Sequence, residues 1–201
     1  MQRIVEAIYM ADPLDPWCRA FAPELSRLRQ RLGGETRFSL CMSHAAGERT
    51  GAVFREWLAE TCGDVARHTG RCRDTLLPKA DAFDTGSEPV RRAVCTGRAL
   101  DPDQAFDLFE MLQEAFFDRG EAVTHSGVML CIAEAAGYET ARFRERFDTE
   151  AMCEQVFTDM SQARSFGVTR LPALALIDAQ GHLSILKGYR TFEQLEKLLG
   201  L

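Results

Sequence analysis

The chain has 201 residues, of which 46% are apolar, and a formal net charge of −6 from 24 basic and 30 acidic side chains. That length and apolar share suffice for one domain with a sizeable core, or for a core domain carrying a large insertion. The acidic balance, without a lysine-rich run or basic stripe, excludes the footprint of a nucleic-acid binder, and no segment approaches the roughly 18 apolar residues of a membrane span.

In chain order, the opening Met1-Gln2-Arg3-Ile4-Val5-Glu6 lacks the hydrophobic stretch and cleavage site of a secretory signal, so the cytoplasm is the expected compartment. From Arg3 to Met10, Ile4, Val5, Ala7, Ile8 and Tyr9 form a short apolar run, the pattern of a strand buried on both faces. The turn Asp12-Pro13-Leu14 follows. Asp15 is then a good N-cap and Pro16 a good first helical residue, because proline lacks an N–H that would go unpaired there anyway. Trp17, Phe21, Leu25, Leu28 and Leu32 share one helical face, and Gly33-Gly34 ends the helix. Thr36 to Met42 reads as a second strand, with Phe38 and Leu40 on one side.

Beyond Ser43-His44 the spacing becomes helical for about a hundred residues. Val53, Phe54, Trp57 and Leu58 form one apolar cluster, and Thr85-Gly86-Ser87-Glu88-Pro89 opens the next helix. Asp101-Pro102-Asp103 begins another, striped by Phe106, Phe109, Leu112 and Phe116. Val128, Leu130, Cys131, Ile132 and Ala135 precede Gly137, and Phe143 with Phe147 close the block. No proline- or serine-rich linker marks either edge, which predicts an insertion rather than an independent domain. A long helix from Thr149 to Phe166 carries Met152, Val156, Met160 and Ala163 on one side. Leu171 to Asp178 is extended and apolar, Ala179-Gln180-Gly181-His182 is a turn, and Leu183 to Lys187 returns as a strand. Thr191 caps a terminal helix with Phe192, Leu195, Leu198 and Leu199.

The seven cysteines (Cys18, Cys41, Cys62, Cys72, Cys95, Cys131, Cys153) are odd in number, scattered and never two residues apart. In a reducing compartment this favours buried free thiols over a disulfide framework or a zinc site, with Cys18 set apart by its place in a motif. His68, His125 and His182 show no metal-ligand spacing, so no metal is expected; His44 is either a solvated loop residue or a neighbour of the site.

Asp12-Pro13-Leu14-x-x-Trp17-Cys18 resembles the D-P-x-C-x-W-C site of the FrnE-like branch of the DsbA family. Ser87-Glu88-Pro89-x-Arg91-Arg92-Ala93 and Phe106-x-x-Phe109-x-x-Leu112-Gln113-x-Ala115-Phe116-Phe117 resemble that family's insertion helices, and Ala163 to Pro172 its approach to a cis-proline. The resemblance implies an α/β, thioredoxin-like fold with a large all-helical insertion. Residues 1–45 and 148–201 would form the thioredoxin-like domain and 46–147 the insertion. It further implies a cis Leu171–Pro172 bond facing the start of the Asp15 helix, with backbone groups open to an extended peptide or to glutathione.

In a C-x-x-C site the first thiol sits at a helix N-terminus, where the dipole favours its anion, and the second resolves the mixed disulfide. Here the four positions are Asp15-Pro16-Trp17-Cys18. Asp15 is expected to be stably ionised by the helix start, and Cys18, beside that charge, to be a sluggish thiol. Asp15 and Cys18 thus occupy the catalytic positions, while Pro16, Trp17, Arg170, Leu171 and Pro172 are the expected substrate-binding residues. Trp17 suits either the core or the groove border, and Arg170 either a solvated surface or pairing with Asp15 or an acidic ligand.

The resemblance implies a thiol-disulfide oxidoreductase-like or isomerase-like protein whose dithiol activity is lost or weakened. Its partners would be a peptide or protein thiol substrate, or a protein client. Two other readings stand beside it: a non-redox adaptor that uses the cis-proline groove to deliver proteins to a protease, and glutathione-dependent chemistry of the kappa-transferase or hydroxychromene-carboxylate-isomerase kind. Asp15 weighs against the last, because a carboxylate repels the glutathione thiolate. No cofactor other than glutathione is expected.

Overall fold

The computed structural model describes residues 3–44, 49–71 and 86–201. Its sheet has the order β2-β1-β3-β4, built from β1 (Ile4–Ala11), β2 (Arg37–Met42), β3 (Ala173–Asp178) and β4 (Leu183–Lys187). β1 runs parallel to β2 and antiparallel to β3, and β4 returns antiparallel on β3. Residues 7 to 11 of β1 and 173 to 176 of β3 are buried, as their unbroken apolar runs require of strands covered on both faces.

Helix α1 (Pro16–Leu32) begins where the sequence places it. Asp15 takes an extended conformation and its Oδ1 accepts the Cys18 N–H at 3.0 Å, while Gly33, at φ 65°, lets the chain leave the last turn. The helical block between β2 and the last long helix comprises α2 (Gly51–Thr69), α3 (Glu88–Leu100), α4 (Ala105–Phe117), α5 (Ser126–Ala135) and α6 (Thr140–Phe147). α7 (Glu150–Ser165) leads back to β3, and α8 (Phe192–Leu199) closes the chain behind a Thr191/Gln194 capping box.

The block and the sheet share one buried core, with the Tyr9 ring edge-on to Phe109 of α4 at 5.8 Å. Asp159 of α7 fastens the two by ion-pairing Arg98 of α3 at 2.8 Å and accepting the Met42 N–H of β2 at 2.7 Å. Among the described residues no helix is long and apolar enough to cross a membrane.

Several expectations need correction. Val53 is 63% exposed, so the first helical cluster reduces to Phe54, Leu58 and the half-buried Trp57. Leu198 faces solvent, the buried face of the short terminal helix being made by Phe192 and Leu195 with the half-buried Leu199. Cys131 is exposed, while Met129, absent from the expected stripe, is buried on that helix together with Leu130, Ile132 and Ala133. Thr85 and Cys72 lie outside the described residues.

Candidate functional site

The start of α1, the turn before β3, the end of β4 and one face of α2 enclose a cleft of about 460 Å³. α1 contributes Asp15 and Trp17, the turn Arg170 and Leu171, and β4 with its continuation Lys187, Gly188, Tyr189 and Arg190. The Leu171–Pro172 bond is cis, and the Gly188 N–H donates to the Pro172 carbonyl at 2.8 Å, which ties the turn to the end of β4. Pro172 lines a small apolar hollow beside the cleft, with Phe21, Leu174 and Leu186. Leu171 turns its side chain inward, and among the described residues no loop hydrogen bond engages its N–H or C=O.

Trp17, which the sequence leaves between core and groove, lines the cleft. Its ring meets His68 edge-on at 5.6 Å and Tyr189 at 6.0 Å, and His68 and Tyr189 meet at 6.1 Å. These rings, with Trp57, form an aromatic wall suited to an apolar side chain. Glu24 of α1 sets the wall in place: it accepts from Arg71 at 2.6 Å, from the Phe192 N–H at 2.9 Å and from the Tyr189 hydroxyl at 3.4 Å.

Asp15 lies at the floor, 3% exposed, with Cys18 wholly buried one turn deeper. Asp15 ionises less readily than its place at the helix start implies. Burial pushes its carboxyl up to about 6, with the charge of Asp12 adding to the rise, and the N–H of Cys18 only partly offsets them. A helix start stabilises an anion that water still reaches; here the loss of water outweighs the dipole. The Cys18 thiol lies against Asp15 and the Tyr9 phenol, and burial followed by the Asp15 charge holds it well above the ordinary thiol range. It is neither exposed nor acidic.

Behind Asp15 the turn is held by a buried ion pair. Arg91 of α3, 1% exposed, donates to Asp12 Oδ2 at 2.9 Å; the Ser87 hydroxyl donates to the same oxygen at 2.7 Å, and Asp12 Oδ1 accepts the Leu14 N–H at 2.8 Å. Ser87 is the N-cap of α3 by position, yet its hydroxyl serves Asp12 instead of capping. A cavity of about 20 Å³, room for one water, lies between Asp12, Asp15 and Ser87 and is bordered by the half-buried His44.

Arg170 is exposed and makes no ion pair with Asp15 or, among the described residues, with any other carboxylate. Pro16 is buried under the helix start. The sequence missed Trp57, Thr61, Asp64 and His68, although their spacing of four, three and four is that of one helical face. Lys187, Tyr189 and Arg190 carry no such signal, because only the fold brings β4 beside α1. Among the described residues no group of three or more histidine, cysteine or acidic side chains could hold a metal.

The thiols sort by burial rather than by motif. Cys41 is pushed up to about 12 by burial and the charge of Asp159, and Cys95 rises for the same causes. Maleimide labelling at neutral pH, mapped by peptide mass, should therefore modify exposed Cys131 first. Cys18, Cys41 and Cys95 should lag by about a thousandfold or more, the factor for a local opening of about 4 kcal/mol. Labelling of Cys18 at a rate near that of Cys131 would contradict the buried thiol.

Residues 10–200 match the model of the DSBA-like thioredoxin domain. A ClpXP adapter protein SpxH from Bacillus licheniformis is 26% identical over 207 aligned residues, covering 98% of this chain and 67% of its own length. The SpxH of Halalkalibacterium halodurans is 22% identical, covering 87% of this chain and 59% of its own. Among solved structures, a candidate protein disulfide isomerase from Nitrosomonas europaea superposes with a TM-score of 0.81 at 22% identity, over 97% of this chain and 95% of that one. The cytosolic disulfide reductase DsbM from Pseudomonas aeruginosa gives 0.72 at 22% identity, over 91% and 89%. At these identities the superpositions establish a shared fold.

Proposed function

The chain belongs to the DSBA-like thioredoxin domain family, and we propose that within it this protein has exchanged dithiol chemistry for binding, using the cis-proline cleft to hold an extended segment of a protein client. The observation that carries this reading is the floor of the cleft. A carboxylate stands where an attacking sulfur is needed, and the remaining sulfur, Cys18, is buried behind it. A carboxylate forms no mixed disulfide, so the first step of exchange has no nucleophile.

What remains is a surface built for recognition. The unengaged backbone of Leu171 can pair with an extended chain, and the wall of Trp17, His68 and Tyr189 can receive one of its side chains. Two curated relatives are described as adapters of ClpXP, which supports an adaptor role for this chain; its client is a proposal on the same footing. A cytoplasmic setting fits the six described cysteines, all of which are free. The reading requires no cofactor. Glutathione would enter only as a competitor for the cleft, its thiolate opposed by Asp15 when that group is charged.

Insulin reduction with dithiothreitol tests the loss of chemistry. Wild type should accelerate precipitation no more than an equal amount of inert protein, whereas Asp15→Cys, which restores a pair at the helix start, should gain about tenfold or more. Wild-type turnover clearly above that of inert protein and equal to the variant's would refute the proposal.

A further inference from the structure

The charges around the cleft are distributed unevenly. On a chain of net charge −6, Arg170, Lys187 and Arg190 all line this cleft, and among the described residues none of the three has a carboxylate partner. Lys187 Nζ donates to the Gly167 carbonyl at 2.6 Å and Arg190 Nη1 to the Tyr189 carbonyl at 2.8 Å, so both ammonium and guanidinium are positioned by neutral oxygens that leave their charge uncompensated. Arg170 is exposed and makes no hydrogen bond among the described residues. The acids in the same cleft do not balance them: Asp64 is paired with Arg67, and Asp15 is almost entirely covered. The same cleft carries the aromatic wall of Trp17, His68 and Tyr189, with Tyr189 next to Arg190 in the chain.

We propose that the cleft selects an acidic segment of the client, an extended stretch in which an aromatic or large apolar residue packs on Trp17 and Tyr189 while flanking carboxylates meet Arg170, Lys187 and Arg190. This rests on the peptide-binding reading above and adds the chemistry of what is bound. Charge complementarity of this kind steers encounter and discriminates among partners more than it adds affinity, so its mark is selectivity that salt erodes. An acidic protein that repels acidic partners elsewhere on its surface would present one place where they are attracted.

The test is fluorescence anisotropy on the full chain with three labelled peptides of equal length, each with a central phenylalanine flanked by glutamates, by glutamines or by lysines. The glutamate peptide should bind about tenfold more tightly than the glutamine peptide at low salt, the lysine peptide not at all, and the difference should shrink as salt approaches molar. Arg170→Glu with Arg190→Glu should remove the preference while leaving the thermal unfolding curve unchanged. Lys187→Gln alone should reduce it in part. Binding indifferent to peptide charge, or favouring lysine, would overturn the acidic selectivity and leave peptide capture standing. Failure of all three peptides would overturn peptide capture itself and the selectivity with it. Saturable binding of glutathione without any peptide binding would do the same, and would assign the cleft to a small thiol.

Discussion

Arg91→Leu should lower the unfolding free energy by about 3–5 kcal/mol, the usual consequence of removing one partner of a buried ion pair. Arg91 is 1% exposed and Asp12 5%, so neither charge can recover hydration if the other is lost. In the variant Asp12 would keep the Ser87 hydroxyl and the Leu14 N–H, but its charge would face an apolar side chain. Adding Asp12→Asn should restore a substantial part of the loss, because an amide can accept from Leu14 without burying a charge. Urea unfolding of wild type, single and double variants measures both effects, and a loss below about 1 kcal/mol for Arg91→Leu would show that water reaches the pair. The consequence extends to the cleft. The pair fastens the turn before α1 to the first turn of α3, so the position of Asp15 depends on the helical insertion being seated.

The difference between what the sequence shows and what the fold adds follows the range of the interactions. Asp15 and Pro16 at the start of α1, Gly33 at its end, the cap at Thr191 and the strand Leu183–Lys187 are all local signals, and each stands where the sequence puts it. The motif stretches around Asp12 and Arg91 are both visible in the sequence, but their pairing joins residues 79 positions apart and cannot be read from either alone. Burial of Asp15 and Cys18 is equally non-local. Helix-start chemistry argues for a charged carboxylate, and only the packing of the insertion, with Trp57 and Phe54 near that helix start, shows how little of the Asp15 side chain water reaches. Cys131 errs in the opposite direction: an apolar run marks a helix as buried, yet on a helix half of such a run faces out.

Asp15→Asn should make the protein more stable at pH 8 and change its stability little at pH 4. In the folded chain the carboxyl is raised from its ordinary 3.8 to about 6, with burial the largest cause. The native state therefore holds the proton more tightly than the unfolded chain does. Between about pH 4 and pH 6 the unfolded chain has released it while the native state has not, so stability falls as pH rises through that window and levels off above it. The size of the rise corresponds to about 3 kcal/mol as an upper bound. Asparagine keeps the cap, since its carbonyl oxygen can accept the Cys18 N–H as Asp15 Oδ1 does, and is uncharged at every pH. The difference between variant and wild type should thus grow from near zero at pH 4 to about 1–3 kcal/mol at pH 8, read from urea midpoints at each pH. A difference independent of pH, or a less stable variant at pH 8, would mean that the carboxylate is hydrated in the folded state. A side chain that costs stability at neutral pH, where an amide of the same shape would not, is one the fold itself does not require.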